Sequence, residues 1–202
     1  MIKLTYVIGL DIGGTKIEVV LVKAAAVSSR SSQPLPKVVK RIRMPTNSAG
    51  GKSAVISNIV AVIASLYKYG KENNPGFVLT GIGIGTAGFL KPTSTAVDGA
   101  PSQQRNSANG GMRNRAQPDL RRGEGRMQMT PNIPALIGVK LRHVLLQQLR
   151  QKGIKSPLFI ENDSICFALA EFMFGAAKGC RNVIGVIVGT GIGGGLILDS
   201  RL

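Results

Sequence analysis

Val7-Ile8-Gly9-Leu10-Asp11-Ile12-Gly13-Gly14-Thr15-Lys16, followed at once by the β-branched run Ile17–Val22, is the stretch on which the fold of this chain turns. An apolar run ends at a carboxylate, meets two glycines and continues as a second apolar run. Strand, tight turn, strand is the simplest reading. A Gly-Gly turn lets backbone approach a ligand and lets N–H groups converge on an anion. Thr15 and Lys16 add a hydroxyl and a positive charge beside it. Asp11, at the strand end, suits a Mg²⁺ held through water, because that ion keeps most of its waters and takes few carboxylates. Two readings stay open here: a phosphate-binding hairpin, or an ordinary β-hairpin with a Gly-Gly turn.

Working outward, residues 24–36 read as a loop. Val38–Met44 reads as a third strand with an exposed basic face. Residues 53–69 carry Val55, Ile56, Ile59, Val60, Ile63 and Leu66 at helical spacing, with Gly70 as the expected stop. Phe77–Ile84 reads as a buried strand, so the order begins β-β-β-α-β. Gly83, Gly85 and Gly88 match GxGxxG. Pro92 follows shortly, so the helix that a dinucleotide fingerprint needs is not expected. A glycine-rich strand end approached by a ligand, or close packing against a neighbouring element, explains these glycines instead.

Residues 98–130 are rich in Gly, Gln, Asn, Ser and Arg and nearly lack large apolar side chains. They read as a disordered insertion. Order is expected to resume at Pro131, with an amphipathic helix over 139–151 and a short buried strand over 157–160. His143, the only histidine, falls among Arg and Gln on that helix and reads as a solvated residue. Glu161-Asn162-Asp163 then stands between the strand and a helix over 165–174, which is apolar nearly all round and expected to be buried. The C-terminal edge of a sheet is where open α/β folds bind ligands. Asp163 there suits a general base for a substrate hydroxyl, and Asn162 a hydrogen-bond partner for a polyol. Taken alone, helix N-capping by Asp163 is the better explanation of the residue. Val183–Val188, the glycine run 189–195 and Leu196–Asp199 repeat the opening logic of strand, glycine turn with Thr, strand. Two such hairpins suggest two halves, each offering a backbone cradle to one polyphosphate.

The totals exclude several classes. The 202 residues carry a net charge of +16, spread along the chain rather than gathered on one helix face, and the six arginines between 105 and 126 have no aromatic partners. Nonspecific affinity for polyanions fits this pattern, whereas specific nucleic-acid recognition has no motif behind it. The two cysteines, Cys166 and Cys180, form no CxxC, so neither a disulfide framework nor a zinc motif is expected, and a cytoplasmic setting fits. The start of the chain runs straight into strand chemistry and does not read as a signal peptide. Val183–Leu198, the longest uncharged apolar run, holds six glycines and is too short for a membrane span.

The motifs LDIGGTK (10–16), GTAG-FL (85–90), PNIP (131–134), ENDSICFALAE (161–171) and GTGIGGGLILDS (189–200) resemble, in order, those of the ROK family, which comprises repressors, uncharacterised reading frames and sugar kinases. The resemblance implies an α/β fold of the actin-like ATPase/hexokinase (ribonuclease H-like) type, β-β-β-α-β-α-β-α, with the start of a second such domain. It implies a first domain over 1–178, with a disordered insertion at 95–130, and a second domain begun at 179–202. Asp11, Gly13, Gly14, Thr15 and Lys16 would form one phosphate loop, with Asp11 on Mg²⁺ through water. Gly189, Thr190 and Gly191 would form the other. Asp163 would be the base, with Asn162, Gly88 and Asn132 binding a hexose. Phosphoryl transfer needs such parts: positioned phosphates and a carboxylate at the nucleophile.

The expected function is ATP-dependent phosphorylation of a hexose, glucokinase-like, with room for a homodimer. Alternatives are a sugar-sensing regulator of the same family and a basic nucleic-acid-binding protein. The family's Glu-x-Gly-His sugar motif and cysteine-rich zinc loop are not among these 202 residues, Ala87 stands where a Pro is usual, and Lys91 where an Asp or Asn is. The first domain is therefore expected nearly whole and the second only begun, with weak sugar and ATP binding and an unpaired edge on the last hairpin.

Overall fold

The computed structural model describes residues 4–25, 35–90, 127–130, 132–189 and 191–202. Most of the expected insertion, together with Pro131 and Thr190, lies outside them. Nine strands are described: β1 Leu4–Ile12, β2 Lys16–Ala25, β3 Lys37–Pro45, β4 Leu79–Thr86, β5 Phe89–Leu90, β6 Met127–Met129, β7 Leu158–Asn162, β8 Val183–Val188 and β9 Ile192–Ile197. The described α-helices are α1 Gly51–Asn73, α2 Leu141–Gln151 and α3 Asp163–Phe174.

The central sheet runs β3-β2-β1-β4-β7. Its first three strands are antiparallel and its last three parallel. This mixed sheet with helices is the actin-like ATPase type of α/β fold. Alternation sets its core face: Ile8, Leu10 and Ile12 of β1, Ile17, Val19 and Leu21 of β2, and Ile82 and Ile84 of β4 are buried. Against them lies the α1 stripe of Val55, Ile56, Ile59, Val60, Ile63 and Leu66. Each such side chain contributes about 1.5–3 kcal/mol by leaving water. By length and composition alone α1 could cross a membrane, but its apolar face is already packed on the sheet. At the far edge, Lys37, Lys40, Arg41 and Arg43 of β3 are exposed, as the basic face predicted.

Four details differ from expectation. Strand β2 continues through Ala24 and Ala25, because β1 is long enough to pair with them. Gly70 does not stop α1: it is buried inside the helix, where a Cβ would come within 2.4 Å of the Phe77 ring. Residues 127–130 are ordered rather than part of a loop, since β6 pairs with β5 and Met127 enters the core. Helix α3 is not buried all round. Only Ser164 and Ala168 are buried, while Phe167, Met173 and Phe174 are exposed. One side of α3 meets the separate β8–β9 hairpin and the other meets solvent.

Candidate functional site

The parallel register aligns three strand ends. Asp11 pairs with Gly85 and Gly85 with Glu161; one residue on, Ile12, Thr86 and Asn162 lie abreast. Asp11 and Glu161 are therefore two strand spacings apart, about 10 Å, with a glycine between them. A Cβ on Gly85 would lie 3.6 Å from Cys166 Sγ, 3.7 Å from the Leu10 carbonyl and 3.8 Å from Asp163 Cα. The slot is thus floored by Gly85 and bordered by Asp11, Glu161, Asp163 and Cys166. Partial desolvation, then the charges of Asp163 and Glu18, raise the Asp11 carboxyl above its ordinary value, while Lys16 acts the other way. As a whole Asp11 is exposed, so water screens much of this field. Burial, then Glu161, Asp163 and Asp11, push the Cys166 thiol up to about 11. Among the described residues no three His, Cys, Asp or Glu side chains gather closely enough to hold a metal ion directly, so a divalent cation at this slot would have to be held through its own waters.

The first hairpin closes beside this slot. Gly13 N–H donates to the Lys16 carbonyl at 3.0 Å. Neither Gly13 nor Gly14 adopts a left-handed φ. Gly14 is required for space, since a Cβ there would lie 2.5 Å from the Asn132 carbonyl oxygen. Asn132, expected at a sugar, thus has its backbone against the tip of this hairpin, and its side chain is exposed. On the other side Thr46 Oγ1 donates to the Gly13 carbonyl at 2.6 Å and Ser48 Oγ to the Gly14 carbonyl at 3.0 Å. Among the described residues, no protein acceptor meets the N–H groups of Gly14 and Thr15. Such free, adjacent donors are what an anion needs.

Asn162, not Asp163, is the N-cap of α3: its Oδ1 accepts from Ser164 N–H at 3.0 Å and from the Ser164 hydroxyl. Asp163 is the first helical residue, and its Oδ1 also accepts from Ser164 N–H at 2.8 Å. Asn162 Nδ2 donates to the Gly88 carbonyl at 2.8 Å, which leaves one amide hydrogen for a ligand. Gly88 has φ 130°, and a Cβ on it would meet the Met129 carbonyl at 2.3 Å. It is therefore glycine by conformation and by close packing, whereas no described residue comes within 4 Å of a Cβ on Gly81 or Gly83.

The second glycine run is not one long turn. Gly193, Gly194 and Gly195 lie inside β9, and the connection is residues 189–191. Gly189 N–H donates to the Gly191 carbonyl at 2.9 Å. Ser164 Oγ donates to the Gly194 carbonyl at 3.1 Å, which ties this hairpin to the same helix turn that carries Asp163. The structure brings Asp11, Gly13, Gly14, Lys16, Gly88, Asn132, Asn162 and Asp163 to one edge of the sheet. Gly189 and Gly191 stand on the neighbouring hairpin.

The sequence profile of the ROK family matches residues 120–202. The chain is also similar to a glucokinase of Thermotoga maritima, 27% identical over 195 residues, 96% of this chain and 45% of that protein. Over residues 120–202 the chain is similar to the ROK family. An N-acetyl-D-glucosamine kinase of Pectobacterium carotovorum is 37% identical over 84 residues, 42% of this chain and 26% of that protein. A crystal structure of a ROK family glucokinase from Streptomyces griseus, in complex with glucose and AMPPNP, superposes with TM-score 0.60 at 23% identity, covering 98% of this chain and 46% of that one. The chain thus spans under half the length of these relatives.

The ROK match begins at residue 120, inside the stretch expected to be a disordered insertion. Thr46, Ser48 and Cys166 are not among the site residues the sequence suggests, whereas Gly85 belongs to the glycine-rich strand end read there as approached by a ligand. Thr46 and Ser48 lie more than thirty residues from the hairpin they hold, and nothing in local spacing signals that contact.

Proposed function

We propose that this chain supplies the catalytic carboxylate and the phosphate hairpin of an ATP-dependent hexose kinase. The observation that carries the reading is the joint placement of Asp11 and Asp163 at one sheet edge, beside a glycine hairpin whose Gly14 and Thr15 N–H groups meet no acceptor among the described residues. In this reading Asp163 takes the proton from a sugar hydroxyl. That oxygen attacks the γ-phosphorus, the bond to ADP breaks, and sugar phosphate and ADP leave. A positioned base contributes about 10² to 10⁴ in rate.

Gly13, Gly14, Thr15 and Lys16 hold the phosphates by backbone donors and one ammonium, and Gly189, Thr190 and Gly191 form the second cradle. Asp11 would hold a Mg²⁺ ion through water, and that ion would supply neutralisation of phosphate charge. The free amide hydrogen of Asn162, together with Gly88 and Asn132, orients the sugar. The domain over 1–178 holds this machinery, and 179–202 opens a second domain. Kinship with kinases for glucose and for N-acetyl-D-glucosamine supports a hexose or hexosamine acceptor. The protein works in the cytoplasm, as a monomer or a homodimer.

The test is transfer of labelled γ-phosphate from ATP-Mg to a panel of hexoses and N-acetylhexosamines, with Asp163→Asn alongside. Transfer to one sugar, lost in a folded Asp163→Asn variant, is the expected result. Absence of transfer from a folded sample to every sugar would sink the claim that this chain acts alone.

A further inference from the structure

The first hairpin is held by a loop remote in sequence, and the manner of holding has a consequence. A peptide unit is planar and trans, so its C=O and N–H point in opposite directions. The Gly13 carbonyl is drawn toward Thr46 Oγ1 at 2.6 Å, so Gly14 N–H, in the same peptide unit, points away from Thr46. The Gly14 carbonyl is drawn toward Ser48 Oγ at 3.0 Å, so Thr15 N–H points away from Ser48.

Thr46 itself cannot swing. It is fully buried, its N–H donates to the Thr15 carbonyl at 3.0 Å, and its carbonyl accepts from Asn58 Nδ2 of α1 at 3.4 Å. The Asn132 backbone presses on Gly14 from another side. Two successive peptide planes are therefore clamped, and neither of their N–H groups has a protein acceptor among the described residues.

We propose that Thr46 and Ser48 are positioning residues that aim Gly14 N–H and Thr15 N–H at a polyphosphate anion. The inference deepens the kinase reading and rests on its phosphate hairpin. It divides the work between two hydroxyls. Thr46 sets the Gly14 donor and Ser48 sets the Thr15 donor. Preorganised donors bind an anion without the cost of ordering at the moment of binding.

The probe is inorganic tripolyphosphate with Mg²⁺, titrated into ¹⁵N-labelled protein while the Gly14 and Thr15 amide signals are followed. Both signals shift in the parent protein. Ser48→Ala weakens tripolyphosphate binding about tenfold, as expected for losing one well-aimed bond to a charged group, and silences the Thr15 response more than the Gly14 response. Thr46→Val does the reverse, and Thr46→Ser restores the parent behaviour. Should Thr46→Val not fold, Ser48→Ala and Thr46→Ser carry the test, because Ser48 is only half-buried. In the transfer assay the same variants raise KM for ATP and leave KM for the sugar unchanged. Parent-like binding by folded Ser48→Ala, or an unshifted Gly14 and Thr15 pair in the parent, overturns the inference. Sugar phosphorylation with ATP KM indifferent to both hydroxyls overturns it while leaving the kinase reading intact. Hydroxyl-dependent anion binding without transfer to any sugar upholds it and removes the kinase reading.

Discussion

The chain holds two glycine hairpins that look alike in sequence and are built for different reasons. The first, between β1 and β2, lies inside a five-stranded sheet, with Ile12 and Ile17 fully buried at its base. Its glycines sit in the turn, between Asn132 on one side and Thr46 and Ser48 on the other. The second, between β8 and β9, forms a two-stranded sheet of its own, with Ile184, Val188 and Ile192 largely exposed. Most of its glycines sit in the strands. Gly185 and Gly195 lack side chains because α3 approaches closely: a Cβ on either would come within 2.7 Å of the Ala168 Cβ. A glycine motif therefore does not by itself announce a phosphate site. It announces that something comes close, and only the neighbour says what.

Substitutions at matched positions sharpen the contrast. The largest effect is expected from Gly14→Ala, whose Cβ meets backbone at 2.5 Å with no flexible atom to yield. A loss of about 2–3 kcal/mol in urea unfolding is expected, together with loss of tripolyphosphate binding. Parent-like stability would mean that the Asn132 segment moves freely and the clamp is not rigid.

Gly195→Ala comes next. Its Cβ would crowd Ala168, Ile165 Cα and the Ser164 carbonyl, so α3 and β9 must separate. A loss of about 1–2 kcal/mol is expected, confined to one part of the molecule. Hydrogen exchange should show β8–β9 losing protection while β1–β2 keeps it. Uniform loss across both hairpins would show that they unfold as one unit.

Asp11→Asn should act in the opposite direction. The Asp11 carboxyl is raised in the folded state, so folded protein holds its proton to higher pH than unfolded protein does. Stability contributed by this group is then present at low pH and falls as pH rises through the raised value. The Asn variant escapes that fall. It should melt slightly higher than the parent at neutral pH, with the gap closing toward acid, and Mg²⁺ should narrow it from the parent's side. A gap that widens in acid would show that desolvation and Asp163 are not what act on Asp11.

Gly191→Ala should do least. Among the described residues no atom beyond its chain neighbours lies within 4 Å of its Cβ position, and its φ is not left-handed. A change within about 0.5 kcal/mol is expected. A clearly larger loss would show that this turn, like the first, is packed against something.

Periodicity made the main elements legible. Alternation in β1 and β2, the apolar stripe of α1 and the amphipathic turns of α2 depend on neighbours two to four residues away. The carboxylates Asp11 and Asp163 were legible too, because each stands where an apolar strand gives way to polar residues. Misreadings fell where a distant contact rules. Gly70 looked like a stop and is a packing site for Phe77. Met127 looked like part of a loop and is core, because β5 offers it a strand. Asp163 looked like a helix cap, and Asn162 takes that role because its amide also reaches Gly88. Helix α3 looked buried because its composition is apolar, but composition does not say what lies against it.

The local pattern of the chain thus determined where strands, helices and glycine turns fall, because propensity and periodicity act over a few residues. Tertiary structure alone decided that Asp11, Glu161 and Asp163 border one glycine-floored slot, since strand register is set between segments 150 residues apart. It alone decided that Gly14 packs against the Asn132 backbone while Gly185 and Gly195 pack against a helix. It alone put Thr46 and Ser48 behind the first hairpin, where two hydroxyls turn two peptide planes.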